Sequence, residues 1–261
     1  MVDLSGRTAI VTGGARGIGA SLARGLANAG AKLVLLDLRA DVGEALAREI
    51  GEASCRFMAC DVADSPAVEG AFREADAFLG SLDILICSAG LDKPGYAAED
   101  IPVDVFDRLM NVNARGTFLA NQQAARRMKT QKGRGGGTMV NLASFAGIRG
   151  MPERAAYSAA KGAVLAWTRA AAGSWAEFDI TVNALAPTMA TEAAERYIDS
   201  LTPGDRQAMD EQLDRVVPLG GRLGVVETDL LPLVLMLCGQ GGRYITGQCF
   251  AVDGGRTMLG S

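Results

Sequence analysis

The feature that most restricts the fold of this chain is its alternation of short apolar runs with longer amphipathic or alanine-rich segments. Short β-branched runs indicate buried strands, and longer segments with a helical period indicate helices. Strands separated by helices pair in parallel, because each crossover returns the chain to the same end of the sheet. The predicted strands are residues 8–11, 32–36, 55–59, 83–87, 138–142, 181–184 and 248–252. The predicted helices are residues 18–29, 41–50, 66–79, 103–130, 155–177 and 225–237.

This order predicts an α/β fold, a doubly wound seven-stranded parallel sheet with helices on both faces. The chain has 261 residues and no change of composition that would mark a linker, so we expect a single domain over residues 1–261. The segment 188–217 interrupts an otherwise regular connection between strand and helix. Long excursions of this kind often cover binding sites, which predicts a substrate lid; the alternative is an insertion used for packing or oligomer contacts.

The net charge and the numbers of histidines and cysteines exclude several classes of function. Lys and Arg total 26 against 30 Asp and Glu, which leaves no basic excess for nucleic acid or an anionic membrane. The chain has no histidine, so His-based catalysis and most zinc sites are excluded, and no metal site is expected. Five cysteines without a CxxC spacing favour reduced thiols, and no apolar run is long enough for a membrane span. We expect a cytoplasmic protein.

A glycine-rich turn follows the first predicted strand and opens the first helix, with the sequence TGGARGIG at residues 12–19. Glycines there allow a tight turn and let a pyrophosphate approach the helix N-terminus. Asp37 ends the second strand, 18 residues beyond Gly19. Its carboxylate can bind the ribose hydroxyls of NAD and would repel the 2′-phosphate of NADP. Arg16 and Arg39 could attract that phosphate, and Asp37 could instead cap the next helix, but the pattern favours NAD.

Three further residues suggest proton chemistry. Ser144 follows the fifth strand, Tyr157 comes 13 residues later, and Lys161 lies four residues beyond Tyr157. On a helix, that spacing of four places the phenol and the ammonium on one face. A free phenol is a poor base at neutral pH, and a cation about 4 Å away would lower the pKa of Tyr157 towards the neutral range.

Together, the TGGARGIG turn, Asp37 and the Ser144, Tyr157 and Lys161 set resemble the short-chain dehydrogenase/reductase family over essentially the whole chain. The resemblance implies a Rossmann fold and a catalytic set that also includes Asn113, from the segment NVNARGTF. In this interpretation Ser144 binds the substrate oxygen and Tyr157 exchanges the hydroxyl proton. Lys161 would lower the pKa of Tyr157 and bind the nicotinamide ribose, while Asn113 would hold a water that leads protons to solvent.

The resemblance also implies which residues contact NAD. These are Gly13, Arg16, Gly17, Ile18, Gly19, Asp37, Leu38, Asp61, Val62, Ser88, Ala89, Gly90, Val112, Tyr157, Lys161, Pro187, Thr188, Met189 and Thr191. The chain departs from the family pattern at two places. Ser88 stands where the family has a second Asn. Thr188 replaces a Gly, and Glu192 falls at the position of a Thr that contacts the nicotinamide, with Thr191 one residue early.

The sequence thus predicts NAD-dependent oxidation of a secondary alcohol, or the reverse reaction. Substrate contacts are expected from residues 91–96 and 145–154 and from Met189, Tyr197 and Ile198 in the lid. Arg149 and Arg154 could bind an acidic substrate or could simply be surface residues. Two alternatives remain, an NADPH-dependent 3-oxoacyl-[acyl-carrier-protein] reductase and a non-catalytic dinucleotide sensor. The resemblance further implies a homotetramer, or a homodimer.

Overall fold

The computed structural model describes residues 2–92, 95–131 and 136–258 and contains a strand at each predicted position. The sheet order is β3-β2-β1-β4-β5-β6-β7, and every neighbouring pair is parallel. The predicted seven-stranded α/β fold is therefore confirmed. The strands are β1 (Thr8–Thr12), β2 (Lys32–Asp37), β3 (Cys55–Ala59), β4 (Ile84–Cys87), β5 (Gly137–Leu142), β6 (Ile180–Pro187) and β7 (Cys249–Val252).

The helices follow the predicted order, with two predictions corrected. The helix predicted over residues 103–130 is interrupted by a π-helical turn at Met110–Arg115 and ends at Met128. A second π-helical turn, Val226–Leu230, precedes the last helix. The α-helices are α1 (Gly17–Asn28), α2 (Ala40–Ile50), α3 (Ser65–Leu79), α4 (Val103–Leu109), α5 (Gly116–Met128), α6 (Phe145–Arg149), α7 (Ala155–Trp175), α8 (Glu192–Asp199), α9 (Pro203–Val216) and α10 (Leu231–Cys238).

The central strands are buried on both faces, which explains why they are almost continuously apolar. Successive side chains of a strand point to opposite faces. In β1, Val11 joins a core formed with α1, α2 and α10, whereas Ile10 joins a second core formed with α3, α5 and α7. The helices therefore cover both faces of the sheet, as the doubly wound fold requires.

The strand order reverses beside β1, which pairs with β2 on one side and β4 on the other. In open parallel sheets the crevice at such a reversal, outside the carboxyl ends of the strands, is the usual ligand site. The loops after β1, β4, β5 and β6 all leave the sheet at this edge. The fold thus brings together segments that are far apart in the sequence.

The segment 188–217 contains two helices rather than an irregular loop. Thr191 caps α8 by accepting a hydrogen bond from the amide of Ala194, and Thr202 caps α9 by accepting one from Asp205. Both caps explain why these helices begin where they do. Across the described ranges, we found no helix with the length and apolarity needed to cross a membrane.

Candidate active site

The glycine-rich turn is shaped by close backbone contacts. A Cβ on Gly13 would lie 2.5 Å from the amide nitrogen of Ala89, and one on Gly19 would lie 2.0 Å from the carbonyl oxygen of Gly13. At Gly17, where φ is +55°, a Cβ would meet no described atom within 4 Å. Gly13 and Gly19 therefore allow tight packing, while Gly17 leaves open space above the N-terminus of α1. That space suits a pyrophosphate.

Asp37 is held in place at the end of β2. Its Oδ2 accepts a hydrogen bond of 3.1 Å from the amide of Ala15, and its Oδ1 accepts one of 3.1 Å from the amide of Arg39. The side chain of Arg39 turns to Asp41, with 3.5 Å between Nε and Oδ1. Asp37 thus both supports the start of α2 and presents a fixed carboxylate beside the glycine-rich turn.

Ser144, Tyr157 and Lys161 converge at the carboxyl end of β5. Ser144 caps the short α6, where its Oγ accepts a hydrogen bond of 3.2 Å from the amide of Ala146. Tyr157 and Lys161 lie on the same face of α7, and Nζ of Lys161 is 5.7 Å from the centre of the Tyr157 ring. This Nζ donates a 2.8 Å hydrogen bond to the carbonyl oxygen of Leu142. The three side chains therefore share one small region.

The expectation that Lys161 lowers the pKa of Tyr157 is not met by these residues alone. Burial raises the pKa of the Tyr157 phenol, and a hydrogen bond with Ser144 opposes that rise. Burial also lowers the pKa of the Lys161 ammonium to about 8. The physical reason is desolvation: both groups lie deep in the protein, and low polarity disfavours the charged form of each.

Asn113 occupies the π-helical turn between α4 and α5 and is fully buried. Its Nδ2 donates to the carbonyl oxygens of Leu91 at 2.8 Å and Leu109 at 3.0 Å, and its Oδ1 accepts from the amide of Leu91 at 3.2 Å. A Cβ on Gly90 would lie 3.0 Å from this Oδ1 and 3.5 Å from Nζ of Lys161. Asn113 thus fastens the loop after β4 next to Lys161.

A second polar cluster lies beneath the site, where β4 and β5 meet α5 and α7. Asn121 and Asn141 exchange two amide hydrogen bonds of 2.9 and 3.1 Å, and Nε1 of Trp167 donates to Oδ1 of Asn121 at 3.0 Å. Burial raises the pKa of Cys87, which accepts a contact from Asn121, to about 12, so this thiol is inert. Sequence reasoning missed this cluster, because no local motif marks it.

A cleft of about 570 Å³ connects the glycine-rich turn, Asp37 and the Tyr157 region. The predicted site residues that line it are Gly13, Arg16, Gly17, Ile18, Asp37, Leu38, Asp61, Val62, Ser88, Ala89, Gly90, Val112, Ser144, Tyr157, Lys161, Pro187 and Thr191. Sequence reasoning did not single out Leu36, Cys60, Arg108, Leu142, Ala143 and Arg196, which also line it. These residues reach the cleft only through tertiary packing.

Four of the predicted catalytic and cofactor-binding residues do not line this cleft. Gly19 and Asn113 are buried behind it, where they support the glycine-rich turn and the loop after β4. Thr188 and Met189 line a neighbouring cavity. The reason is backbone pairing, because Thr188 exchanges main-chain hydrogen bonds with Val252 and Gly224. Of the expected substrate contacts, Leu91 and Asp92 line the cleft, whereas Gly95, Tyr96, residues 145–154, Tyr197 and Ile198 do not. Lys93 and Pro94 lie outside the described residues.

Comparisons with known proteins agree with this geometry. A family model described as Enoyl-(Acyl carrier protein) reductase matches residues 13–257. The chain is 35% identical to 2-dehydro-3-deoxy-L-rhamnonate dehydrogenase (NAD(+)) of Sphingomonas sp. (strain SKA58), covering 98% of this chain and 97% of the relative. It is 33% identical to D-threitol dehydrogenase of Mycolicibacterium smegmatis, covering 98% and 94%.

The fold has a close counterpart among solved structures. A crystal structure from Sinorhizobium meliloti 1021, described as a short-chain alcohol dehydrogenase, superposes with a TM-score of 0.87 at 33% identity. The match covers 98% of both chains. The matches in sequence and the sheet topology thus indicate the same family. The chain belongs to the short-chain dehydrogenase/reductase family.

Proposed function

We propose that this protein is an NAD-linked oxidoreductase that interconverts a small secondary alcohol and its ketone. The observation that carries the proposal is the convergence of Ser144, Tyr157 and Lys161 in the same cleft as the glycine-rich turn and Asp37. A phenol, a hydroxyl and an ammonium beside a dinucleotide cleft provide for proton transfer and for binding a carbonyl or hydroxyl oxygen.

The residues divide the chemistry among them. When bound, NAD supplies the acceptor for the hydride that leaves the carbinol carbon. Ser144 orients the substrate oxygen with its Oγ, and Tyr157 takes the hydroxyl proton in oxidation or returns it in reduction. Lys161, on the same face of α7 as Tyr157, would bind the ribose of the nicotinamide nucleotide. Asn113 acts by fixing the loop that contains Gly90.

The choice of NAD over NADP rests on Asp37. Its carboxylate lines the cleft, and a 2′-phosphate placed there would meet an unpaired negative charge. Arg39, one of the two cations that could offset this repulsion, already pairs with Asp41. One of the relatives named above is described as using NAD(+). Arg16 lines the cleft and is the feature that favours NADP.

A second candidate is an NADPH-dependent reductase of acyl-carrier-protein substrates. The description of the matching family model and the position of Arg16 in the cleft favour it. Asp37 disfavours it for the reason given above. The homotetramer or homodimer stays a prediction from the family resemblance. The cytoplasmic location and the use of segment 188–217 as a substrate lid stay predictions from the sequence.

The test is an activity screen that resolves the cofactor. The purified protein is assayed with NAD or NADP and a panel of secondary alcohols, then with NADH or NADPH and ketones or 3-oxoacyl thioesters, by nicotinamide absorbance. We expect turnover with NAD and alcohols. Turnover only with NADPH and 3-oxoacyl thioesters would support the reductase instead.

A variant pair tests the mechanism in the same assay. Tyr157→Phe should abolish turnover while leaving NAD binding intact, because only the proton-transferring oxygen is removed. Tyr244→Phe, at a fully exposed tyrosine that does not line the cleft, is the matched control and should retain activity. Turnover that survives Tyr157→Phe would refute the mechanism. Tight NAD binding without turnover on any substrate would favour a dinucleotide sensor.

A further inference from the structure

The substrate end of the cleft contains an ion pair that the catalytic set does not use. Arg154, which directly precedes α7, pairs through Nη1 with Oδ2 of Asp92, which lies in the loop after β4. Asp92 lines the cleft together with Ser144 and Tyr157. Both side chains of the pair are about one third exposed, at 32% for Asp92 and 37% for Arg154. The pair therefore remains accessible to a bound molecule.

The charge of Asp92 reaches the reacting groups. Burial is the main influence on both pKa values, raising that of Tyr157 and lowering that of Lys161. The charge of Asp92 acts upwards on both, whereas Arg154 acts downwards on that of Tyr157. Asp92 lines the same cleft as Ser144 and Tyr157, so its carboxylate borders the space in which the reacting hydroxyl must sit. A substrate held at Tyr157 thus extends towards Asp92.

The floor of the same region is apolar. Leu91, Tyr96, Ile101 and Tyr157 pack against the buried side chains of α4 and of the first turn of α7. Such a floor suits the carbon skeleton of a substrate, and the ion pair offers both acceptors and donors at its edge. A hydroxyl group has one donor and two acceptor positions, so it can use both members of the pair.

We infer that Asp92, held by Arg154, binds the hydroxyl groups of a neutral polyol, and that this sets the substrate class. The inference rests on the proposed alcohol dehydrogenase function and makes it more specific. A monohydric alcohol has no second hydroxyl group for the carboxylate of Asp92, which would then be hydrated by water instead. A hydroxy acid would bring a second carboxylate towards Asp92, whose partner Arg154 is already neutralised by the first.

The test uses four substrates with the same number of carbons, which are threitol, butane-2,3-diol, butan-2-ol and 3-hydroxybutanoate. For the full-length protein with saturating NAD, we expect kcat/KM at least tenfold higher for the two polyols than for butan-2-ol. Asp92→Asn should lower kcat/KM for the polyols about ten- to a hundredfold, mainly through KM, because a hydrogen bond to a charged group is lost. Activity on butan-2-ol should stay within about twofold at the plateau pH of each variant.

Two further variants make the result specific. Arg154→Gln should also raise KM for the polyols, because it releases Asp92 from its fixed position. Asp100→Asn, at an exposed carboxylate that does not line the cleft, should leave kcat/KM unchanged for both the polyols and butan-2-ol. Removing the charge of Asp92 should also shift the acid limb of the pH profile to lower pH, an effect that a purely structural role would not produce.

Several outcomes would overturn the inference. An equal loss on threitol and butan-2-ol in Asp92→Asn would make the residue merely structural, and an unchanged KM for threitol would exclude it from substrate binding. A wild-type preference for 3-hydroxybutanoate would assign the ion pair to acidic substrates. If the wild-type protein oxidises none of these alcohols, nor any other in the screen, the proposed function itself fails, and the inference fails with it.

Discussion

Lys161→Met should abolish activity and yet stabilise the protein. The ammonium of Lys161 is needed for the reaction, but burying its charge destabilises the folded state. The side chain is 4% exposed, and burial lowers the pKa of its ammonium from 10.5 to about 8. A pKa difference of one corresponds to about 1.4 kcal/mol, so the buried charge costs the folded state about 3 kcal/mol at pH 7.

The expected gain is smaller than that cost. Methionine has nearly the same length and no charge, but it loses the hydrogen bond from Nζ to the carbonyl oxygen of Leu142. A bond of this kind contributes about 1 kcal/mol. The free energy of unfolding should therefore rise by about 2 kcal/mol, which corresponds to an increase in Tm of about 4 to 8 °C for a chain of this size.

The pH dependence of the free energy of unfolding shows whether the buried charge of Lys161 is the cause of the difference in stability. As pH rises through about 8, folded Lys161 loses its proton, whereas in the unfolded chain it keeps the proton up to pH 10.5. In that window the unfolded state binds more protons, so the contribution of Lys161 to stability rises with pH. The advantage of the methionine variant should thus be constant below about pH 8 and shrink between pH 8 and 10.5.

Urea unfolding at pH 7 and pH 9.5, without dinucleotide, measures both effects. Lys129→Met, at an exposed lysine directly after α5, is the control; it loses a cation–π contact of 4.1 Å with Phe178 and should lower stability by no more than about 1 kcal/mol. A methionine variant that is less stable than the wild-type protein at pH 7, or whose difference from it does not depend on pH, would refute the reasoning.

The remaining predictions concern pH, cofactor and backbone. Because burial raises the pKa of Tyr157, kcat/KM for oxidation should keep rising into the alkaline range, whereas kcat/KM for reduction should fall there. A kcat/KM for oxidation that does not change from about pH 6 to 10 would contradict this. Asp37→Ser should weaken NAD binding about tenfold and improve NADP binding, as titration calorimetry can measure, whereas an unchanged preference would exclude Asp37 from the choice. Gly19→Ala should prevent dinucleotide binding, because its Cβ would lie 2.0 Å from the carbonyl oxygen of Gly13; retained binding in a folded variant would show that the turn can shift.

Most of the fold could be predicted because its signals are local. Each strand was predicted to within three residues of its observed ends, since a run of buried side chains in a parallel sheet has few alternatives. The two errors in helix continuity fall at the π-helical turns Met110–Arg115 and Val226–Leu230. A π-helical turn has no distinct residue pattern. Packing between helices decides whether one forms, and here it brings Asn113 to the loop after β4.

The sequence by itself determined the order of the elements and the glycine-rich turn, since periodicity and spacing along one chain encode them. The set Asn113, Ser144, Tyr157 and Lys161 came from the family resemblance, and its catalytic role stays a prediction. Only the tertiary structure decided what surrounds these residues. It directs Lys161 to the carbonyl of Leu142, turns Thr188 and Met189 away from the cleft, and joins Asp92 to Arg154. Burial and pairing across elements set these contacts and the pKa values that follow from them, and no local pattern records which distant segment will become a neighbour.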